Sequence, residues 1–128
     1  MSNRESGICA LDQATVRILD NTTERNEGVG IGCWGRVTGR VNGNDVKRNG
    51  SGKSGGICIG GRANLVIAEN DCERNKYYGI LFRDSGTGAA RGNHCAHSAY
   101  GILDNSSRSP RLSGNDLQWN SVQDFARW

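Results

Sequence analysis

Large apolar residues recur along this chain in short alternating sets, not in long runs or helical stripes. Gly-Ile occurs at Gly7-Ile8, Gly30-Ile31, Gly56-Ile57, Gly79-Ile80 and Gly101-Ile102, at steps of 23, 26, 23 and 22 residues. Two positions beyond each Ile stand Ala10, Cys33, Ile59, Phe82 and Asp104. A second apolar column, Ile18, Val41, Ile67, Ala90 and Leu112, lies three residues before an asparagine at Asn21, Asn44, Asn70, Asn93 and Asn115. A third column, Thr23, Val46, Cys72, Cys95 and Leu117, follows two residues after it. Alternation on a period of two marks a strand with one buried face. No segment repeats apolar residues at three and four over two turns, so helices are not expected. Each unit predicts three brief strands separated by bends.

The register within a unit is constant. Each Gly is followed after 14 residues by the first Asn and, five residues later, by Asn26, Asn49, Asn75, Ser98 or Asn120. Length varies only between that position and the next Gly, where three, six, three and two residues intervene. A fixed unit with one loop that absorbs insertions is the pattern of a solenoid. If coils stack as parallel strands about 4.8 Å apart, each column becomes a ladder of like residues and five coils span about 25 Å. Asparagine at a bend tolerates left-handed backbone and can bond its copy in the next coil, so the constant Asn is expected in that conformation. Glycine serves bends where a Cβ would clash.

The repeat, clearest in Asn70-Asp71-Cys72-Glu73-Arg74-Asn75-Lys76-Tyr77-Tyr78-Gly79-Ile80, resembles the parallel β-helix repeat of the pectate-lyase-like superfamily. The resemblance covers nearly the whole chain. It implies an all-β fold, a right-handed parallel β-helix of about five coils with three short strands per coil. Gly-Ile would open the first strand, the constant Asn would turn the second into the third, and the variable loop would lead back to the first. Leucine-rich repeats share the Leu65-x-Ile67-x-x-Asn70 spacing but need an apolar residue eight before each Asn. Gln13, Arg36, Arg62, Ser85 and Ser107 stand there instead. One domain over 1–128 is expected, with coils starting near 7, 30, 56, 79 and 101. Only six residues precede Gly7, so the first coil is expected to be bare. At the other end, 121–128 reads as a partial sixth coil with Phe125 in the Ile ladder, against a rival reading as a short capping helix.

Composition alters this picture little. Glycine and asparagine, 19 and 13, make a quarter of the 128 residues, while Leu, Ile, Val and Phe total 24. So few large apolar residues would suggest disorder, yet the net charge is only +3 and the residues are periodic. No run of eighteen apolar residues suggests a membrane span, and no N-terminal apolar block suggests a secretory signal. Five cysteines without a Cys-x-x-Cys pair read as reduced thiols, so a cytoplasmic location is expected. Cys72 and Cys95 are expected to be buried neighbours without a bridge. The charge is too small and the aromatics too sparse to argue a nucleic-acid partner. Neither a cofactor nor a resident metal is expected.

Three candidate surfaces follow. Outward positions of the first strand, Cys9, Gly32, Cys58, Leu81 and Leu103, with Leu11 and Trp34 two residues on, form an apolar strip that suggests self-association. Arg25, Arg48, Arg74 and His97 occupy equivalent places on the third strand or its exit bend. Stacked, they could hold an anionic polysaccharide, though Glu24 and Glu73 beside them weaken the field. After the Asn column come Asp45, Asp71, His94 and Asp116, which could move a proton or meet a metal, although polar residues are also the ordinary content of an exposed strand start. The resemblance implies, for lyases, clustered calcium-binding carboxylates beside an Arg or Lys base. For hydrolases it implies paired Asp with Gly-His-Gly and Arg-x-Lys, and for alginate epimerases Asp-Pro-His-Glu. None of these motifs is present. The expected function is a non-catalytic interaction or carbohydrate-binding module that self-associates through its first-strand face or bare N-terminal coil. The alternative is a lyase or epimerase acting on a uronate chain.

Overall fold

A computed structural model describes residues 6–127. Met1 to Glu5 and Trp128 lie outside the described residues, and with them part of the expected N-terminal edge. The described chain winds through three parallel sheets. The first sheet holds β1 (Ile8–Ala10), β4 (Ile31–Cys33), β7 (Ile57–Ile59), β10 (Tyr78–Asp84), β13 (Tyr100–Ser106) and β16 (Gln123–Arg127). The second holds β2 (Thr15–Leu19), β5 (Thr38–Asn42), β8 (Asn64–Ala68), β11 (Thr87–Arg91) and β14 (Arg111–Ser113). The third holds β3 (Thr22–Glu24), β6 (Asp45–Lys47), β9 (Asp71–Glu73), β12 (His94–Ala96) and β15 (Asp116–Gln118). This is the expected β-solenoid, and the described residues contain no helix.

The columns read from the sequence are in register. Ile8, Ile31, Ile57, Ile80 and Ile102 stack in line and Phe125 continues them. The partial sixth coil is therefore present as β16, and residues 121–122 form a bend where a capping helix was the alternative. Ile31, Ile57, Ile80 and Ile102 are fully buried together with Val41, Ile67, Val46, Cys72 and Cys95. Burying each such aliphatic side chain is worth roughly 1.5–3 kcal/mol, and the ladders concentrate that gain in a narrow core. Asp104 also lies in this interior, and its Oδ2 accepts a 2.9 Å bond from Arg127 Nε in the sixth coil. A carboxylate placed there needs such a partner.

Asparagines bind the coils together in two ladders. The Oδ1 of Asn44 accepts from the backbone N–H of Asn21 at 2.9 Å, and that of Asn70 from Asn44 at 2.9 Å. Asn93 and Asn115 extend the series, with 3.0 Å bonds at each step. The second ladder runs from Asn26 through Asn49 to Asn75. Ser98 interrupts it, its side chain too short to accept from the Asn75 backbone N–H as an Asn would, and Ser98 Oγ is buried without a partner, while the Ser98 N–H donates to Asn120 Oδ1 at 3.1 Å.

One expectation is corrected here. The left-handed residue at each corner precedes the ladder Asn. Asp20, Gly43, Glu69, Gly92 and Gly114 have φ from 54° to 67° before the first ladder. Arg25, Arg48, Arg74, His97 and Trp119 have φ from 53° to 59° before the second. Turning one residue early aims the Asn side chain into the coil, where its amide reaches the backbone above and below. Gly39 and Gly88, at φ +129° and +127°, occupy a region closed to other residues. A Cβ on either would strike the carbonyl oxygen of Val16 or Leu65 in the preceding coil.

Candidate functional site

The outward side chains of the three sheets make three chemically different faces. On the first sheet, the expected open apolar strip is not open. Cys58 and Leu103 are buried, Gly32 is buried, and Trp34 and Leu81 are half-buried. Among the strip residues, Cys9 and Leu11 remain exposed. The cover comes from the same chain. Val29, Tyr78, Tyr100 and Ala126 form a second apolar cluster over Cys58 and Leu103. The Trp34 ring lies over Gly32 and Gly60, so close that a Cβ at Gly60 would stand 2.7 Å from its Cδ1. Tyr77 packs edge-on against Tyr100 with ring centroids 5.3 Å apart. Gly32 and Gly60, which carry no side chain, are the floor on which the indole rests. Burial pushes the Cys58 thiol up to about 11 and the Cys33 thiol, in the core, up to about 12. None of the five cysteines is in a disulfide.

The third sheet is acidic. Outward positions alternate around the inward column, so each coil presents two: Thr22 and Glu24, Asp45 and Lys47, Asp71 and Glu73, His94 and Ala96, Asp116 and Gln118. Registry brings Asp45, Asp71, His94 and Asp116 into one line. Lys47 Nζ stands 3.2 Å from Asp45, 3.6 Å from Asp71 and 4.0 Å from Glu73. His94 lies between two carboxylates, with Nδ1 3.1 Å from Asp116 and Nε2 3.1 Å from Glu73. Burial opposes charge on that imidazole, and its bonds to Asp116 and Glu73 outweigh this and raise its pKa. The contacts of Glu73 and Lys47 were not foreseen. The sequence shows their outward phase, but the bond from Glu73 to His94 crosses coils 21 residues apart.

The corner line of Arg25, Arg48, Arg74 and His97 is exposed, as expected. It flanks this acidic sheet. Arg48 pairs with Glu24 at 3.2 Å, and His97 lies against the exposed Trp119 at 5.5 Å between centroids. Part of the line is thus occupied by neighbours from adjoining coils.

The second sheet carries a basic face that the sequence reading missed. Its outward middle column is Arg17, Arg40, Val66, Ala89 and Arg111, in register. Arg91 lies in the column beside it, and Arg108 lines the same surface from the loop before β14. No acidic side chain occupies an outward position of this sheet. Among the described residues, none of Arg17, Arg40, Arg91, Arg108 and Arg111 enters an ion pair. Two shallow grooves lie on this face. One of about 420 Å³ is lined by Asn64, Val66, Thr87, Ala89, Arg108 and Arg111, and one of about 330 Å³ by Arg17, Leu19, Arg40 and Asn42. From Arg17 to Arg111 is four coil steps, about 19 Å at strand spacing. The sequence does carry a signal for the middle column: Arg17, Arg40 and Arg111 each stand one position before an inward apolar residue. Reading the inward column alone passed over it.

A family model described as "Right handed beta helix region" matches residues 1–124. No curated protein and no solved structure matches the chain.

Proposed function

Since the chain belongs to the right-handed β-helix family, we propose that it is a non-catalytic binding module for an anionic polysaccharide, held along the outer face of its second sheet. The observation that carries this reading is the set of unpaired arginines around two shallow grooves on a face without acids. Guanidinium groups form forked, paired hydrogen bonds to carboxylate and sulfate oxygens. A flat, uncapped strand surface suits an extended polymer better than a compact metabolite, which needs an enclosing pocket. The threonine column of Thr15, Thr38 and Thr87, with Asn64, borders the arginines along the coil axis and offers hydroxyl and amide partners for sugar hydroxyls. Val66 and Ala89 between the charged ends leave a low apolar saddle on which a sugar ring can lie.

The test is binding to immobilised polygalacturonate, alginate and dextran sulfate, against neutral dextran, over a salt series. Binding should weaken with salt, and the Arg40→Ser/Arg111→Ser double variant should lose at least tenfold in affinity. Binding that survives that variant unchanged would move the site off this face. Release of unsaturated ends from polygalacturonate or alginate would favour the lyase reading, and a changed uronate epimer ratio without chain cleavage would favour the epimerase reading.

A further inference from the structure

The acidic sheet holds a cluster with different chemistry, independent of the polysaccharide reading. Four carboxylates, those of Asp45, Asp71, Glu73 and Asp116, share one lysine and one histidine. With His94 neutral, Lys47 offsets one negative charge of the four. Within the cluster, Asp71, Glu73 and His94 each offer one ligand atom, all within 4.8 Å of one another. One oxygen of Asp71, Oδ1, is closed to solvent and has no hydrogen-bond partner. The Asp71 side chain as a whole is 44% exposed and its Oδ2 stands 3.6 Å from Lys47 Nζ, so the carboxylate keeps lone pairs that a second cation can use.

His94 is oriented for this task. Its Nδ1 bonds Asp116 and its Nε2 is directed at Glu73. When Asp116 takes the Nδ1–H, the tautomer is fixed with the Nε2 lone pair turned toward Glu73. Metal-binding histidines are held in this way by a carboxylate on the far nitrogen. One imidazole and two carboxylates suit a transition metal of zinc's type. Calcium would want six to eight oxygens, more than these residues supply. Adjacent coils bring the three ligands together, since Asp71 and Glu73 come from β9 and His94 from β12 in direct register with Asp71.

We propose that Asp71, Glu73 and His94 form a binding site for a divalent transition-metal ion, with zinc(II) as the fitting case and Asp116 as the residue that positions His94. Lys47 is the competing cation. On binding, the Nε2 lone pair and one oxygen from each carboxylate bond the ion, Lys47 keeps Asp45, and any proton on Nε2 leaves to solvent. Three protein ligands leave a fourth position open to water, so the ion is exchangeable.

The experiment is calorimetric titration of tag-free, chelator-stripped protein carrying Cys9→Ser, so that the exposed thiol cannot compete. Zinc(II) is the titrant, calcium(II) the control, and cobalt(II) absorption the independent readout. One zinc per chain is expected, with calcium at least a hundredfold weaker. His94→Ala and Glu73→Gln should each weaken zinc at least tenfold and alter the cobalt spectrum. Asp116→Asn, which touches no ligand position, should cost roughly tenfold or more, and Lys47→Met should tighten binding. Circular dichroism checks the fold of each variant, and Asp116→Asn carries the test if His94→Ala unfolds. No zinc binding, calcium binding as tight as zinc, or zinc binding unchanged by both His94→Ala and Asp116→Asn would overturn the assignment.

Discussion

Replacing Asn70 by alanine tests the account of what holds the coils together. The Asn70 side chain is buried and makes four hydrogen bonds. Its Oδ1 accepts from the Asn44 backbone N–H at 2.9 Å and from Asn44 Nδ2 at 3.0 Å. Its Nδ2 donates to the Val41 carbonyl at 2.9 Å and to Asn93 Oδ1 at 2.9 Å. Alanine removes all four and leaves the Asn44 N–H buried without this acceptor. At about 1 kcal/mol per net hydrogen bond, and more where a buried group is orphaned, the loss comes to roughly 3–5 kcal/mol. Asn21, in the first coil and half-buried, donates to Leu19 O and Asn44 Oδ1, so Asn21→Ala should cost about 1 kcal/mol. Urea unfolding followed by fluorescence reads the difference. With a slope of about 2 kcal/mol/M, Asn70→Ala should lower the midpoint by about 2 M and Asn21→Ala by about 0.5 M. Equal shifts for the two would refute the reasoning, because the ladder would then contribute no more inside the stack than at its edge.

Further expectations concern the backbone and the thiols. Gly39→Ala should prevent stable folding or cost more than about 3 kcal/mol, because a Cβ there meets the Val16 carbonyl at a φ that L-residues avoid. Gly52→Ala, also at positive φ but with open space around it, should cost about 1 kcal/mol, and thermal melts of the pair separate collision from strain. A thiol-reactive dye at pH 8 should label Cys9 alone quickly in the native protein and all five cysteines after denaturation. Labelling of more than one site in the folded state would contradict the burial of Cys58 and Cys33. Because burial raises those two thiols to about 11 and about 12 from 9.0, the native state holds their protons longer than the unfolded state. Their contribution to stability is full below pH about 9 and is lost as pH rises toward the folded values; a pH series of melts should decline across that window.

The interior was legible because a solenoid writes its core in one column at a time. The Gly-Ile steps fixed the phase of the first sheet, and the constant distance from Gly to Asn carried that phase into the second and third. The exterior was harder to read, because its contacts join residues a full coil apart. The phase of Trp34 points it outward, yet its resting place over Gly32 and Gly60 depends on the stacking of two coils. Arg48 was read as part of a basic line, and its partner Glu24 lies in the preceding coil. The arginines at 17, 40 and 111 stand in the outward phase of local alternation, but nothing local shows that they share a face without acids. They matter because registry aligns Arg17 with Arg40 and keeps every acid off that face.

Repetition in the sequence by itself determined the strands, their inward faces, the asparagine positions and the sixth-coil place of Phe125. Each follows from alternation and fixed spacing, which are local properties of the chain. The tertiary structure decided where the left-handed corner residues fall, which apolar residues cover the first sheet, and how charge divides into a basic and an acidic face. Those outcomes depend on neighbours brought within a few ångströms by stacking at a strand's width, and electrostatic and packing energies at that range are set by distance in space, not by distance along the chain.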